Sequence, residues 1–301
     1  MADPQPDRQR DPFPRRTADP SVLAPWFVEL ARTLPALVRS YLPGGPIGAR
    51  TRERVILAVT EVNGCRYCAW IHGSWSDYLG ERAEGDDLDD AELAEAALLT
   101  YARACADAGH PLDSGPLAEV LPADAITAIR ATVAQIEVAN LVGNTVDGLL
   151  ARLTRKRPLD PPRAVLEAAT VVAALPLAAP MLALGGVMRF VHRVAPDVPD
   201  VQTPPPGEAN LLVHLLARTV PAYLANAGVR LALLRLPVPI TIGIKAGRTA
   251  ATLRIGRGRV QVDNGISPAA VVVLEGDVEP LLQLATGNLV RELSALRIRP
   301  N

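Results

Sequence analysis

The densest concentration of chemically capable side chains is Cys65-Arg66-Tyr67-Cys68, followed four residues later by His72. On a helix, steps of three and then four residues place both thiols and the imidazole along one face. Cys65 falls where that helix should begin, so both thiols feel the positive end of its dipole. That favours thiolate, the reactive form of cysteine. Two thiols at this spacing can also close a disulfide across the first helical turn. One thiolate can therefore attack an oxidant while its partner condenses with the resulting sulfenic acid. His72 is placed to relay a proton, and Glu53, on the preceding helix, is the obvious carboxylate to orient it. Plainer readings stay open on spacing alone: an inert buried thiol pair, and a structural histidine. A zinc site would need a fourth ligand from Cys105, His110 or a carboxylate. The cluster also departs from paired-knuckle spacing, so no metal and no cofactor are expected.

Composition sets the surroundings of this cluster. At 301 residues the chain has room for about two domains, and with 49% hydrophobic against 21% charged residues it can bury a sizeable core. A net charge of -1 lacks the basic excess of a nucleic-acid binder, so no nucleic-acid partner is expected. Three cysteines are too few for a disulfide scaffold and point to a reducing compartment, the cytoplasm. Residues 1–20 are charged and Pro-rich, without the apolar stretch of a secretory signal, and read as a solvated, disordered tail.

The elements that must position the thiols read as helices. Apolar residues recur at three and four from Ser21 to Leu42, and Pro43-Gly44-Gly45-Pro46 stops the pattern. A second helix fits Arg50 to Val62. After the Asn63-Gly64 break a third runs from about Cys65 to Leu79. Asp86 to Asp90 reads as an acidic loop leading into a helix over Ala91–Ala106. Further helix follows over Ile126–Val138 and Leu141–Leu153. Ala168 to Met188 carries no charge over 21 residues, long enough for a membrane span. Its alanines, Pro176, Pro180, Gly185 and Gly186 suit a buried helix or a subunit interface better, and membrane association is left open. Residues 201–210 hold Thr203-Pro204-Pro205-Pro206-Gly207 and read as a linker. Beyond an amphipathic helix over Glu208–Ala227 the period changes. Ile240–Ile244, Thr249–Ile255, Val260–Val262 and Val271–Leu274 read as strands, with turns at Gly256-Arg257-Gly258 and Asp263-Asn264-Gly265. A helix from Asp277 through Ala285 follows, closed by Gly287.

Glu53, eleven intervening residues, Cys65-x-x-Cys68, three residues and then His72 resemble the core motif of the AhpD-like alkylhydroperoxidase/carboxymuconolactone decarboxylase superfamily. Ile126–Leu150, with Val138-Ala139-Asn140, resembles the helix that packs on this core, and the likeness covers roughly residues 21–190. The resemblance implies an all-helical domain that forms homo-oligomers. It implies Cys68 as the peroxidatic thiol, Cys65 as the resolving thiol, and His72 with Glu53 as the proton relay. Its partners would be a hydroperoxide substrate and an external dithiol reductant. The decarboxylase branch lacks the cysteine pair, which disfavours lactone chemistry. Tyr67 departs from the best-known peroxidases, which carry histidine there.

The C-terminal strands, with Gly276-Asp277-Val278-Glu279-Pro280-Leu281-Leu282-Gln283-Leu284-Ala285-Thr286-Gly287 and a short strand at Leu296–Arg299, resemble the sterol-carrier-protein fold. That resemblance implies a lipid or fatty acyl ligand, against the plainer reading of a domain that only oligomerises. The expected architecture is therefore multi-domain: an all-α AhpD-like domain over 21–200, then an α+β sterol-carrier-protein-like domain over 211–301. The expected function is thiol-dependent reduction of hydroperoxides, lipid hydroperoxides among them. The alternative is a lipid-binding or scaffold protein with non-catalytic or redox-sensing thiols.

Overall fold

The computed structural model describes residues 15–42, 45–80, 90–276 and 297–300. Within these, a mostly helical chain is followed by a small mixed sheet, as the change of hydrophobic period requires. Two compact units divide the described residues. The first comprises Met1–Leu37, Arg54–His72 and Asp90–Ala183; the second comprises Val38–Glu53, Gly73–Asp89 and Leu184–Asn301.

Helix α1 spans Pro20–Ser40, α2 Ala49–Asn63, α3 Arg66–Leu79 and α4 Asp90–Ala108. The Asn63-Gly64 break is a helix stop of the expected kind: Gly64 takes φ 66°, and its amide returns 2.8 Å to the Thr60 carbonyl. The two halves expected between Ile126 and Leu153 are one helix, α5 (Ala123–Leu153). No proline interrupts it, and its core side of Ile129, Val133, Ile136 and Leu141 continues without a break. Its end is tied to α6 (Pro161–Val194) by a buried cluster in which Glu167 accepts from Arg152 at 2.9 Å and Arg157 at 3.4 Å.

One expectation needs correction inside the first unit. The last residues of the expected disordered tail are ordered. Arg15 donates to Asp147 (2.8 Å) and to the Gly64 carbonyl (3.0 Å), while Arg16 donates to Asn63 (3.0 Å) and to the Ala106 carbonyl. The Ala18 amide donates to Thr145 (2.8 Å), and α1 already begins at Pro20. The physical reason is that two arginines meet carbonyls at the C-terminal ends of α2 and α4, where positive charge is favoured. Residues 1–14 of that tail, and the expected loop over Asp86–Asp89, lie outside the described residues.

In the second unit the sheet order is β1-β4-β3-β2-β5-β6. Strands β2 (Ile240–Ala246), β3 (Thr249–Gly256) and β4 (Arg259–Asn264) form an antiparallel meander. The β3–β4 turn uses positive φ at Arg257 and Gly258, the geometry that matches strand twist. Strand β5 (Val272–Gly276) adds parallel to β2, and β6 (Arg297–Pro300) adds antiparallel to β5. Val201–Gln202, inside the expected linker, form the edge strand β1 parallel to β4. The expected helix over Glu208–Ala227 is α7 (Leu211–Leu224), and a further helix, α8 (Ala227–Leu234), follows it where no element was expected; each has an asparagine cap. Asn210 accepts from the Val213 amide and donates to the Ala250 carbonyl of β3 (2.8 Å), and Asn226 accepts from the Val229 amide. Leu212, Val213, Val220, Leu224 and Leu234 pack on Ile244, Leu253, Ile255, Val260 and Val262 to make the core of this unit. The expected helix from Asp277 lies outside the described residues.

Among the described residues, Pro20–Ser40 and Ala123–Leu153 are long and apolar enough to cross a membrane by length and composition. The expected candidate, Ala168–Met188, lies within α6, whose halves Pro161–Pro176 and Ala178–Val194 pass that test only as a bent pair.

Candidate functional site

Cys65 is the residue before the first turn of α3, in the N-cap position, and its sulfur accepts the Cys68 amide at 3.3 Å. A sulfur there meets backbone N–H groups that have no partner within the helix. The Cys65 and Cys68 sulfurs lie 2.8 Å apart, and both thiols are free. Closing a disulfide from this contact requires the sulfurs to approach by roughly 0.8 Å. Both are buried, Cys65 to 1% exposure and Cys68 to 7%.

The two thiols are electrostatically unequal. The hydrogen-bonded contact with the Cys68 sulfur, together with the amides of Cys68 and Tyr67, pulls the Cys65 thiol below its ordinary range despite burial. The same contact, reinforced by burial, pushes the Cys68 thiol well above its ordinary range. Of the two, Cys65 is therefore the thiol that ionises first and Cys68 the one that holds its proton.

His72 stands four residues beyond Cys68 on α3 and is half-buried. Glu53 is buried on α2, 3.7 Å from the Arg52 guanidinium beside it. The thiols and His72 thus belong to the first unit, whereas Glu53 closes the α2 segment of the second. Cys105 on α4 is buried as well, and desolvation raises its thiol. Among the described residues no group of three or more His, Cys, Asp or Glu gathers as a metal site.

The first unit surrounds the pair with residues that the sequence reading passed over. Asp147 of α5 accepts from the Tyr67 hydroxyl at 3.0 Å and pairs with Arg66 at 2.6 Å and Arg15 at 2.8 Å. It anchors the dipeptide between the cysteines, and Tyr67, at the departing position, is part of that anchor. Gly143 allows α5 to close on the thiols: a Cβ there would lie 2.5 Å from the Cys65 sulfur. Gly143→Ala would gain helix propensity at most sites. Here it should destabilise the reduced protein by about 1–3 kcal/mol through overpacking, or rotate Cys65 away from Cys68. Chemical unfolding and the rate of disulfide closure read the two outcomes; an unchanged rate with raised stability would show that α5 does not confine the thiol.

Further along α5, Glu137, Asn140 and Asn144 are buried, on the side that meets the end of α2. Glu137 accepts from Asn63 at 2.8 Å, Asn140 from Thr60 at 3.2 Å, and Asn144 donates to the Asn63 carbonyl at 2.9 Å. Burial pushes the Glu137 carboxyl up to about 7, against the opposing pull of Asn63 and Arg16. Polar residues at helical spacing within an apolar helix were the signal for this stripe. Arg15 and Arg16 had none, because their partners lie more than forty residues away in sequence.

The chain matches no protein-family model, no curated protein and no solved structure.

Proposed function

We propose that the protein is a dithiol peroxidase of the alkylhydroperoxidase kind. The observation that carries this reading is the pair of free sulfurs 2.8 Å apart at the start of α3, one of them an amide-bonded acceptor. The contact is short enough for a proton to pass between the two sulfurs. When that proton passes to Cys65, Cys68 becomes the nucleophile, and it is the more exposed of the two. The Cys68 thiolate attacks the distal hydroperoxide oxygen, the O–O bond breaks, and the alkoxide leaves and takes up a proton. Cys65 then attacks the sulfenic sulfur, forming the disulfide and expelling hydroxide, which leaves as water. His72 and Glu53 would deliver protons to these leaving groups, the role implied by their match to the superfamily motif. An external dithiol regenerates the pair by thiol–disulfide exchange, itself ending as a disulfide.

The C-terminal unit, with α7 and α8 laid on a mixed sheet, is compatible with a lipid-carrier role in which fatty acyl hydroperoxides are presented to the thiols. The near-complete burial of both sulfurs favours a second reading, in which the pair senses redox state without turning over substrate.

Consumption of cumene hydroperoxide and of a fatty acyl hydroperoxide by the full chain, with a small dithiol as reductant, separates these readings. The expected result is turnover proportional to protein concentration and faster with the fatty acyl substrate. Consumption no faster than with dithiol alone would leave redox sensing as the surviving account. Equal rates on the two substrates would remove the lipid role.

A further inference from the structure

A pair that reacts as thiolate and thiol is one proton short of what peroxide reduction consumes. Converting a hydroperoxide to an alcohol and water takes two electrons and two protons. A thiolate–thiol pair supplies both electrons but only the proton on Cys68. His72 and Glu53 would conduct protons to the leaving groups, and the first unit also holds a buried acid that could store the second one. Glu137 is fully buried, and one of its carboxyl oxygens, Oε2, has no partner among the described residues. The same is true of Asn140 Nδ2 and Asn144 Oδ1, three and seven residues further along α5. These positions share one helix face and run toward Gly143, where α5 abuts the Cys65 sulfur. Six residues of helix put Glu137 about 9 Å along the axis from that point. Buried polar atoms with no protein partner are ordinarily met by ordered water, and here three of them lie on one helix face.

We propose that Glu137 is the proton reservoir of the Cys65–Cys68 pair and exchanges a proton with it along water held by Asn140 and Asn144. The balance closes: thiolate, thiol, carboxylic acid and hydroperoxide become disulfide, carboxylate, alcohol and water. The S–S bond forms, the O–O bond breaks, and the charge of -1 moves from Cys65 to Glu137. Reduction by the external dithiol reverses this, returning one proton to Cys68 and one to Glu137. The groups around the carboxyl suit the exchange. Arg16, from the segment before α1, accommodates the charged form, and Cys105 on α4 is close enough to feel that charge. The flanking charged groups of α5 are already engaged, Arg130 by Glu29 of α1 and Asp147 by Arg15 and Arg66. This role rests on the dithiol reading for its physiological oxidant, but the coupling of Glu137 to the pair does not depend on which oxidant is used.

Redox-difference infrared spectroscopy on the full chain near neutral pH tests it, with diamide and cumene hydroperoxide as separate oxidants. On disulfide formation a protonated-carboxyl band should disappear and a carboxylate band grow, and Glu137→Gln should abolish both changes. Asn140→Ala keeps the carboxyl and should slow the loss of its band. Band changes that persist in Glu137→Gln, or no band change when diamide closes the disulfide, would overturn the proposal. Band changes with diamide but no oxidation by the hydroperoxide would instead remove the peroxidase reading and leave the proton coupling standing.

Discussion

Replacing either cysteine of the pair is expected to abolish turnover while perturbing the remaining thiol in opposite directions. Cys68→Ser and Cys65→Ser should each lower dithiol-dependent hydroperoxide consumption by about a thousandfold or more, since neither variant can close the disulfide that the cycle requires. Removing the hydrogen-bonding group altogether reads the electrostatics. Cys68→Ala deletes the strongest influence lowering the Cys65 thiol, so its thiolate midpoint should rise. Cys65→Ala deletes the strongest influence raising the Cys68 thiol, so that midpoint should fall toward the ordinary cysteine value. Thiolate ultraviolet absorbance across a pH series measures both without requiring a reagent to reach a buried sulfur. Midpoints that move the other way would place the resting charge on Cys68.

Glu137→Gln is expected to flatten the pH dependence of stability. The folded carboxyl titrates at about 7 against an ordinary value of 4.5. A group raised in this way holds its proton more tightly when folded, so its contribution is fully present below about 4.5. It is lost as pH rises through about 7, where folding must bury a charge. The difference amounts to about 3 kcal/mol between acid and alkaline limits. The glutamine keeps the oxygen that accepts from Asn63 and cannot ionise. Above pH 7 the variant should therefore be the more stable protein by up to that amount, and at pH 4 the two should match. Denaturant unfolding at the two pH values checks the sign; a variant less stable than the parent at high pH would mean that Arg16 more than offsets the buried charge.

The legible parts of the chain were those that depend on local pattern. Cys68 and His72 fall on the expected helix and Cys65 at its N-cap because their three-and-four spacing sits beside the Asn63-Gly64 stop, a strictly local signal. The change of period after residue 240 located the β2–β4 meander for the same reason. What escaped depended on partners distant in sequence. Arg15 and Arg16 lie in a stretch with no periodicity, and only the ends of α2 and α4 and the side chain of Asp147 give them a place. Gly143 looks like an ordinary helix-interior glycine until the Cys65 sulfur is placed against it. Two strand residues at Val201–Gln202 are too few to show alternation, so the proline-rich segment after them set the reading. The order of the two thiol pKa values was likewise out of reach, because the helix dipole acts on both cysteines and only their mutual geometry separates them.

The central claim is that a hydroperoxide oxidises this pair directly. A single-turnover reaction tests it most simply: the reduced chain is mixed with one equivalent of cumene hydroperoxide without reductant, quenched by acid, and digested for mass spectrometry. The account predicts a Cys65–Cys68 disulfide formed in step with release of the alcohol, and a sulfenic acid on Cys68 retained in Cys65→Ser. Both thiols still reduced after the peroxide has decayed, or a sulfenic acid trapped on Cys105 alone, would contradict it.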